Sequence, residues 1–350
     1  MARITCVLLV LVAASPAFGA DTGPDPIVTH YTGVLDELKA RPDDPTVLMS
    51  LRSPTKRSDA GQRKAFDEIV AHLESAAEKS PKSFGIAHNY YEALWTRYAY
   101  YKSADDAAAA VEQIRKTMRL AKPQSNEQAQ CAFELAQTTL DLSGPLAQKL
   151  FGDEQREAAI KHFIAAKRAA MSRGPYAARS ALALADLYIS KADAANAKKH
   201  LREALDLDTD RGYVTNHAYD RFGLVLLAEN NMEGALAMLE YACAVRPDAD
   251  LKSLGYAHRL AWALVVVGRP KEAVVYLAKI AELAEKGETT LDYDLAHTIA
   301  AAYTKLGQSD RALIYWKRYI ELGDPDEGRR ERAIKTAQAL AIATTKTKGN

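Results

Sequence analysis

The stretch that decides the fold is 218–247, AYDRFGLVLLAENNMEGALAMLEYACAVRP. Its apolar residues recur at helical spacing in two runs, which predicts two short helices that end at Pro247. The inner faces of these helices mix small and large apolar residues, namely Phe222, Gly223 and Leu226 in the first and Ala235, Leu239 and Ala242 in the second. Such a mixture is typical of two helices that pack closely against each other.

The same pattern recurs along the chain at a nearly fixed period. We call the first helix of each repeat unit helix A and the second helix B, and we count positions from the start of the unit. Units begin at His88, Ala129, Ala178, Asn216, Leu254 and Tyr293. The last four starts are 38 or 39 residues apart, and the step from Ala129 to Ala178 contains an insertion of 11 residues. A period of this length predicts a stacked helical repeat protein.

In this register, residues of similar size fall into columns. The seventh position holds Leu94, Leu135, Leu184, Phe222, Leu260 and Ile299. The eighth holds Trp95, Ala136, Ala185, Gly223, Ala261 and Ala300, and the twentieth holds Ala107, Ala159, Ala197, Ala235, Ala273 and Ala312. Small residues at the eighth and twentieth positions let helices A and B approach, and larger neighbours fill the remaining space. One unit cannot bury its apolar face alone, so neighbouring units must stack.

These columns resemble the tetratricopeptide repeat, whose usual unit is about 34 residues long. The resemblance covers residues 88–325. It implies an all-α fold: a right-handed superhelical array of antiparallel helix pairs, an α-solenoid of about six to seven repeats with a C-terminal capping helix. Because the units here are about four residues longer than usual, the helices or the links between units must be extended.

The sequence predicts the following organisation. Residues 1–19 are a signal peptide, 20–56 hold irregular chain and short helices, 57–325 form the repeat array, 326–344 a capping helix and 345–350 a tail. The units of the array are 50–87, 88–128, 129–177 with an insertion at 143–153, 178–215, 216–253, 254–292 and 293–325. The first unit is degenerate, because Ile69 stands where a small residue is expected and residues 50–61 do not favour a helix.

The N-terminus has the features of a secretory signal. Arg3 precedes an apolar run from Ile4 to Ala14, and Ala17 and Gly19 offer small residues for cleavage after Gly19. The alternative, a transmembrane anchor, needs about 20 apolar residues, which this run does not reach. No later segment is apolar enough to span a membrane. We therefore expect an exported protein of the periplasm, with secretion as the alternative.

Charge and motifs exclude several function classes. The formal charge of +1 falls to zero without Arg3, which gives no electrostatic reason to expect nucleic acid as a partner. The chain has no GxGxxG, P-loop, HExxH or GxSxG motif, so we predict no enzyme, no catalytic residues, no cofactor and no metal. Cys131 and Cys243 lie several repeats apart, which predicts buried free thiols.

The resemblance also implies where a partner binds. In tetratricopeptide-like arrays the second, fifth, ninth, twelfth and thirteenth positions of helix A face a concave groove. By that resemblance the partner-binding groove is lined by Arg179, Asp186, His217, Asp220, His258, Trp262, Asp294, His297 and Lys305. An exposed Trp262 flanked by charged residues is suited to anchor a peptide. The alternative is that Trp262 packs against the next helix A.

Two histidines invite a metal hypothesis. His162 and His200 share the twenty-third position of adjacent units, so a metal site is conceivable. The same column also holds Ala110, Met238, Tyr276 and Tyr315, which favours simple packing.

Two apolar features have alternative interpretations. The insertion carries Leu146, Leu150 and Phe151, which either fold back over a repeat edge or serve self-association. The aromatic cluster of residues 90–101 is either core or a carbohydrate- or peptide-binding surface.

Three functions follow from these observations. The first is a non-catalytic scaffold, exported from the cytoplasm, that binds a protein or peptide through its groove. The second is a cell-envelope enzyme, or a subunit that activates one, supported only by the histidines. The third is a self-associating structural array that uses the insertion.

Overall fold

The fold is described from a computed structural model that covers residues 26–49, 60–170, 174–209, 212–244 and 251–348. These residues form seventeen helices and no strand. The chain divides into an N-terminal body, residues 1–113, and a C-terminal body, residues 114–350. The fold is therefore all-α, as predicted. The predicted signal peptide lies outside the described residues.

The N-terminal body contains five helices: α1 (Pro26–Ala40), α2 (Pro45–Met49), α3 (Ala60–Lys79), α4 (Phe84–Tyr101) and most of α5 (Ala104–Leu120). Helix α1 begins with Pro26 at its first position, where proline is well tolerated. Helix α1 packs on α3, and α2 packs on α4. The two short helices α1 and α2 thus pack on the longer helices α3 and α4.

Aromatic residues form part of the core of the N-terminal body. The Phe66 ring is fully buried, and its centroid lies 4.8 Å from Tyr31 and 5.5 Å from Tyr100. Tyr101 meets the same ring edge-on at 6.2 Å. The C-terminal part of the 90–101 cluster is therefore engaged in core packing rather than free for a ligand.

The C-terminal body holds twelve helices within its described residues. They are α6 (Asn126–Asp141), α7 (Gly144–Phe151), α8 (Gln155–Ala169), α9 (Pro175–Ser190), α10 (Ala194–Leu207), α11 (Tyr213–Ala228), α12 (Met232–Ala244), α13 (Leu251–Val266), α14 (Pro270–Glu285), α15 (Tyr293–Lys305), α16 (Ser309–Leu322) and α17 (Glu327–Lys348). A and B helices pair as α6 with α8, α9 with α10, α11 with α12, α13 with α14 and α15 with α16. Each pair also packs on the next, and one cluster of buried apolar residues extends from α12 to α17.

The predicted small residues lie at the contact between A and B helices. Ala136, Ala185, Ala261 and Ala300 of the eighth position are completely buried, as are the alanines of the twentieth position. Gly223 shows how close the approach is, because a Cβ added there would stand 2.6 Å from Cγ of Leu239. The packing role predicted for these columns is confirmed.

The period of the sequence reappears in the turn between each A and B helix. Ala192, Asn230, Gly268 and Gly307, which are 38 or 39 residues apart, all have positive φ values between 56° and 83°. In each turn the next residue donates its N–H to the carbonyl five residues earlier, for example Asn231 N to Leu226 O at 2.9 Å and Gln308 N to Tyr303 O at 3.0 Å. This is the Schellman ending of a helix, and it fixes four successive A–B turns in one conformation.

The insertion and the C-terminus are both helical. The insertion contains the short helix α7, in which Leu146, Leu150 and Phe151 are half-buried and Phe151 lies 5.8 Å from the Arg115 guanidinium. Helix α17 packs on α16 through buried Ala333 and Ala337, and it extends four residues beyond the predicted end of the cap. Among the described residues, every helix is too short or too polar to cross a membrane.

We predict that Gly223→Ala destabilises the protein by about 1–3 kcal/mol, because the new methyl group overlaps Leu239 and the Ala235 carbonyl. Gly255→Ala is the matched control: it is also within a helix A, and its nearest neighbour, Arg259 Nη2, would be 3.8 Å away. We expect this control to stabilise by about 0.5–1 kcal/mol through helix propensity. Urea unfolding followed by circular dichroism measures both, and an equal effect of the two changes would contradict the close A–B contact.

Candidate functional site: the A-helix row

The predicted groove residues all lie on α9, α11, α13 and α15, which we call the A-helix row. Side-chain contacts set the register of these helices. Arg259 on α13 meets Asp220 on α11, and Thr298 on α15 meets His258 on α13, so residues that touch across these helices are 39 or 40 positions apart. Lys305 on α15 likewise reaches Val265 on α13, 40 positions earlier. The helices of the row therefore run in the same direction, side by side.

Asp220 corrects one of the groove predictions. Its side chain is 0% exposed and bridges two arginines, Arg221 through Nη1 at 2.9 Å and Arg259 through Nε. Burial raises the pKa of Asp220, and the two guanidinium groups oppose that rise. Asp220 is thus a structural link between α11 and α13, and a partner cannot touch it.

The arginines that hold Asp220 extend the link to the preceding helix. Arg221 also donates through Nε to Asp186 on α9 at 2.8 Å. The result is a chain of alternating charges, Asp186–Arg221–Asp220–Arg259, that crosses three helices of the row. Sequence reasoning missed both arginines. The signal that could have found them is their shared sixth position, from which each one reaches back to an acid on the preceding helix A.

The three predicted groove histidines are half-buried and engaged with their neighbours. The His258 Nε2 atom lies 2.9 Å from the Thr298 hydroxyl, which itself donates to Asp294 O at 2.9 Å. Because that hydroxyl proton is already used, His258 Nε2 is the donor to Thr298. The His297 ring meets Trp316 edge-on at 5.2 Å. The His217 ring lies 5.4 Å from that of Tyr256.

Burial determines the protonation of two of these rings. Desolvation lowers the pKa of His258 and of His297, although nearby carboxylates oppose the change. Both imidazoles are therefore neutral at pH 7. Neutral, half-buried rings suit interhelical contacts better than recognition of an anion.

The other predicted groove residues are exposed, but their electrostatic surroundings differ. Asp186 pairs with Arg221, and Asp294 lies 3.5 Å from Arg329 of α17. Arg179 has its guanidinium 5.8 Å from the Phe133 ring. Lys305 donates to the Val265 carbonyl at 2.6 Å, so its hydrogen-bond partner is uncharged.

Trp262 is the main apolar feature of the row. It is 39% exposed, whereas Trp316 is buried and Trp95 half-buried. Val266, one helical turn later on α13, is 46% exposed and continues the apolar surface. Sequence reasoning did not select Val266, although it occupies the thirteenth position, as Lys305 does in the next unit.

The residues behind the metal hypothesis have packing and hydrogen-bonding roles. His200 stacks on Tyr188 at 5.4 Å, and its Nδ1 lies 2.9 Å from Glu203. Burial lowers the pKa of His200 and that of His162. Cys131 is a buried free thiol as predicted, whereas Cys243 is free but only half-buried. Burial raises the pKa of Cys243 to about 12, so its thiol is a poor nucleophile.

Comparison with known proteins agrees with this architecture. Residues 92–251 match a family described as "Tetratricopeptide repeat-like domain". No curated protein sequence matches the chain significantly. The fold and the family match together define a helical-repeat protein. The chain contains a tetratricopeptide repeat-like domain.

Solved structures show the same fold at low sequence identity. A structure from a functional characterisation of Pseudomonas aeruginosa pilF has 14% identity and a TM-score of 0.52, over 71% of this chain and 99% of that one. The Cut9–Hcn1 hetero-tetramer of the APC/C has 15% identity and a TM-score of 0.56, over 89% of this chain and 53% of that one. BtubC from P. vanneervenii has 14% identity and a TM-score of 0.52, over 67% and 94%.

We predict that Asp220→Asn lowers the free energy of unfolding by about 2–4 kcal/mol, because two guanidinium groups lose the buried charge that binds them. Asp186→Asn, which removes the exposed carboxylate of the same chain of charges, is the matched control and should cost less than about 1 kcal/mol. Chemical denaturation at neutral pH measures both. Equal losses would show that burial does not determine how much Asp220 contributes to the free energy of unfolding.

Proposed function

We propose that this protein is an exported, non-catalytic scaffold that binds a protein or peptide partner on its A-helix row, around Trp262 and Val266. The observation that carries the proposal is the exposed indole of Trp262, because a tryptophan at the centre of an interface is a frequent hot spot of binding energy. A second exposed apolar side chain one turn away, Val266, enlarges the contact surface.

The chemistry of the rest of the row supports binding rather than catalysis. Asp186 and Asp220 are held in ion pairs with arginines, and His258 is hydrogen-bonded to Thr298. A general acid or base needs a side chain directed at a substrate, but these groups are directed at one another. The structurally similar Cut9–Hcn1 assembly is a hetero-tetramer, so an array of this fold can take part in a protein complex.

We predict that a photo-crosslinking amino acid at Val266 captures a partner from an extract of the organism that encodes the protein. The same amino acid at Val275 is the control, because Val275 is 71% exposed but lies on the B helix α14. Trp262→Ala should remove the adduct formed at position 266 without lowering the melting temperature. Identical adducts from both positions, or an adduct unaffected by Trp262→Ala, would contradict a binding site on the A-helix row.

Export is a separate part of the proposal and rests on residues 1–19 of the sequence. We expect the full chain, expressed in a Gram-negative host, to be released by osmotic shock with a mature N-terminus at Ala20. Replacing Leu8 and Leu9 by arginine interrupts the apolar run and should keep the protein in the cytoplasm with its N-terminus intact. Intact-mass spectrometry of both fractions measures this. An uncleaved wild-type chain in the cytoplasm would refute export.

A further inference from the structure

We propose that α17 joins two copies of this chain by packing antiparallel against α17 of the second copy, with Gln338 at the two-fold axis. The contact surface is the outer stripe of α17, which we define as Ile334, Gln338, Ala341 and Ile342. This inference concerns the end of the array and does not depend on a partner at the A-helix row.

Helix α17 carries two stripes along its length. Ala333, Ala337 and Leu340 form the inner stripe, which packs on the apolar cluster beneath it. The residues of the outer stripe recur at i, i+4, i+7 and i+8, which is the spacing of one face of a helix that packs against a neighbour. All four are exposed, with Ile334 at 40% and Ile342 at 59%. The helix therefore has a second packing face that this copy of the chain leaves in contact with solvent.

The composition of α17 changes along the helix. Residues 327–335 carry six charged side chains, as the outer side of a terminal helix in such an array usually requires. Residues 336–345, TAQALAIATT, carry none. A helical segment with apolar residues on both sides is typical of a buried helix. This composition favours contact with another protein over simple solvation of the end of the array.

The N-terminal end of α17 is held in place by ion pairs. Arg329 Nε lies 3.2 Å from the buried carboxylate of Asp324, and Arg329 Nη1 lies 3.5 Å from Asp294 on α15. The backbone N–H of Arg329 also donates to Asp326 Oδ1 at 2.9 Å. The outer stripe thus stands on a positioned helix, which reduces the entropic cost of binding.

The outer stripe is its own complement under a two-fold rotation. In an antiparallel pair centred on Gln338, residues equally far before and after position 338 face each other. Ile334 of each copy then meets Ile342 of the other, so the contact brings together two pairs of isoleucines. Lys335 faces Ala341, whose small side chain leaves room for the lysine stem. A two-fold interface requires this kind of self-complementary surface.

Gln338 favours a second copy over a partner with an apolar surface. An amide side chain has two N–H donors and one acceptor oxygen, so two glutamines that face each other can form reciprocal hydrogen bonds. An apolar surface would cover the same amide without a hydrogen bond, which is unfavourable. A single polar residue in an otherwise apolar helix contact also fixes the register of the two helices. Because the outer stripe is small, we expect a Kd on the order of 10 μM.

Sedimentation velocity of the purified full chain, at concentrations from below to above this Kd, tests the proposal. We expect a monomer that converts to a dimer. Ile342→Glu should raise Kd at least tenfold, because it places a carboxylate against Ile334 of the second copy. Ile314→Glu is the matched control: Ile314 is 63% exposed on the neighbouring helix α16, and its replacement should leave Kd unchanged. Thermal unfolding should show the same melting temperature for both variants.

A charge exchange at the two-fold axis tests the register. Gln338→Lys alone and Gln338→Glu alone should each weaken the dimer, because the new charge meets an identical one in the second copy. An equal mixture of the two variants should restore a dimer that contains one copy of each.

Three outcomes would overturn the proposal. A chain that stays monomeric at every concentration would leave the outer stripe to a different partner. A dimer that Ile342→Glu and Ile314→Glu affect equally would place self-association on another surface. A dimer that Ile342→Glu dissociates, but that the mixture of the two Gln338 variants does not restore, would overturn the antiparallel pairing about Gln338.

Discussion

The close approach of helix A to helix B is the constraint on which the rest of the structure depends. At Gly223 there is no room even for a methyl group, and in the other A–B pairs of the C-terminal body the alanines of the eighth and twentieth positions have no exposed surface. Larger side chains surround this contact: Leu239 packs on Gly223 within its own pair and also belongs to an apolar cluster that includes residues of α13 and α14. Because such clusters extend from one pair to the next, the units must stack to bury them.

Stacking leaves the helices of the A-helix row next to one another, and a second kind of contact joins them. In the last three units, the sixth position reaches back to the preceding helix A: Arg221 to Asp186, Arg259 to Asp220, and Thr298 to His258. Arg221 and Arg259 form ion pairs and Thr298 a neutral hydrogen bond, yet all three residues occupy the sixth position of their units. These contacts engage Asp186, Asp220 and His258, three of the polar side chains that a binding face or an active site would otherwise use.

The difference between the two kinds of contact explains what could be predicted from the sequence. From the unit that begins at Ala129 onwards, small residues recur at the contacts between A and B helices, so the columns of residue size predicted them correctly. Contacts between successive A helices share the sixth position but differ in residue type, so no column of similar residues marks them. For this reason Asp220 was assigned to the groove but is buried, and Arg221 and Arg259 were overlooked. Trp262 was identified because an indole is unusual at a polar position, whereas Val266 resembled an ordinary core residue.

The turns between A and B helices all have one geometry, which indicates where the extra length of each repeat unit lies. Each of the four A–B turns has three residues, and the middle one is in the left-handed conformation, so none of the turns can absorb additional chain. The links from helix B to the next helix A differ, with five residues between α10 and α11 and seven between α14 and α15. The pair geometry is therefore constant, whereas the spacing between pairs can vary.

Contacts at the sixth position span this variable spacing with long, adaptable arginine side chains or with a direct His–Thr hydrogen bond. The exposed side chains of Trp262 and Val266 are under neither constraint, so these two positions can change without a change of fold.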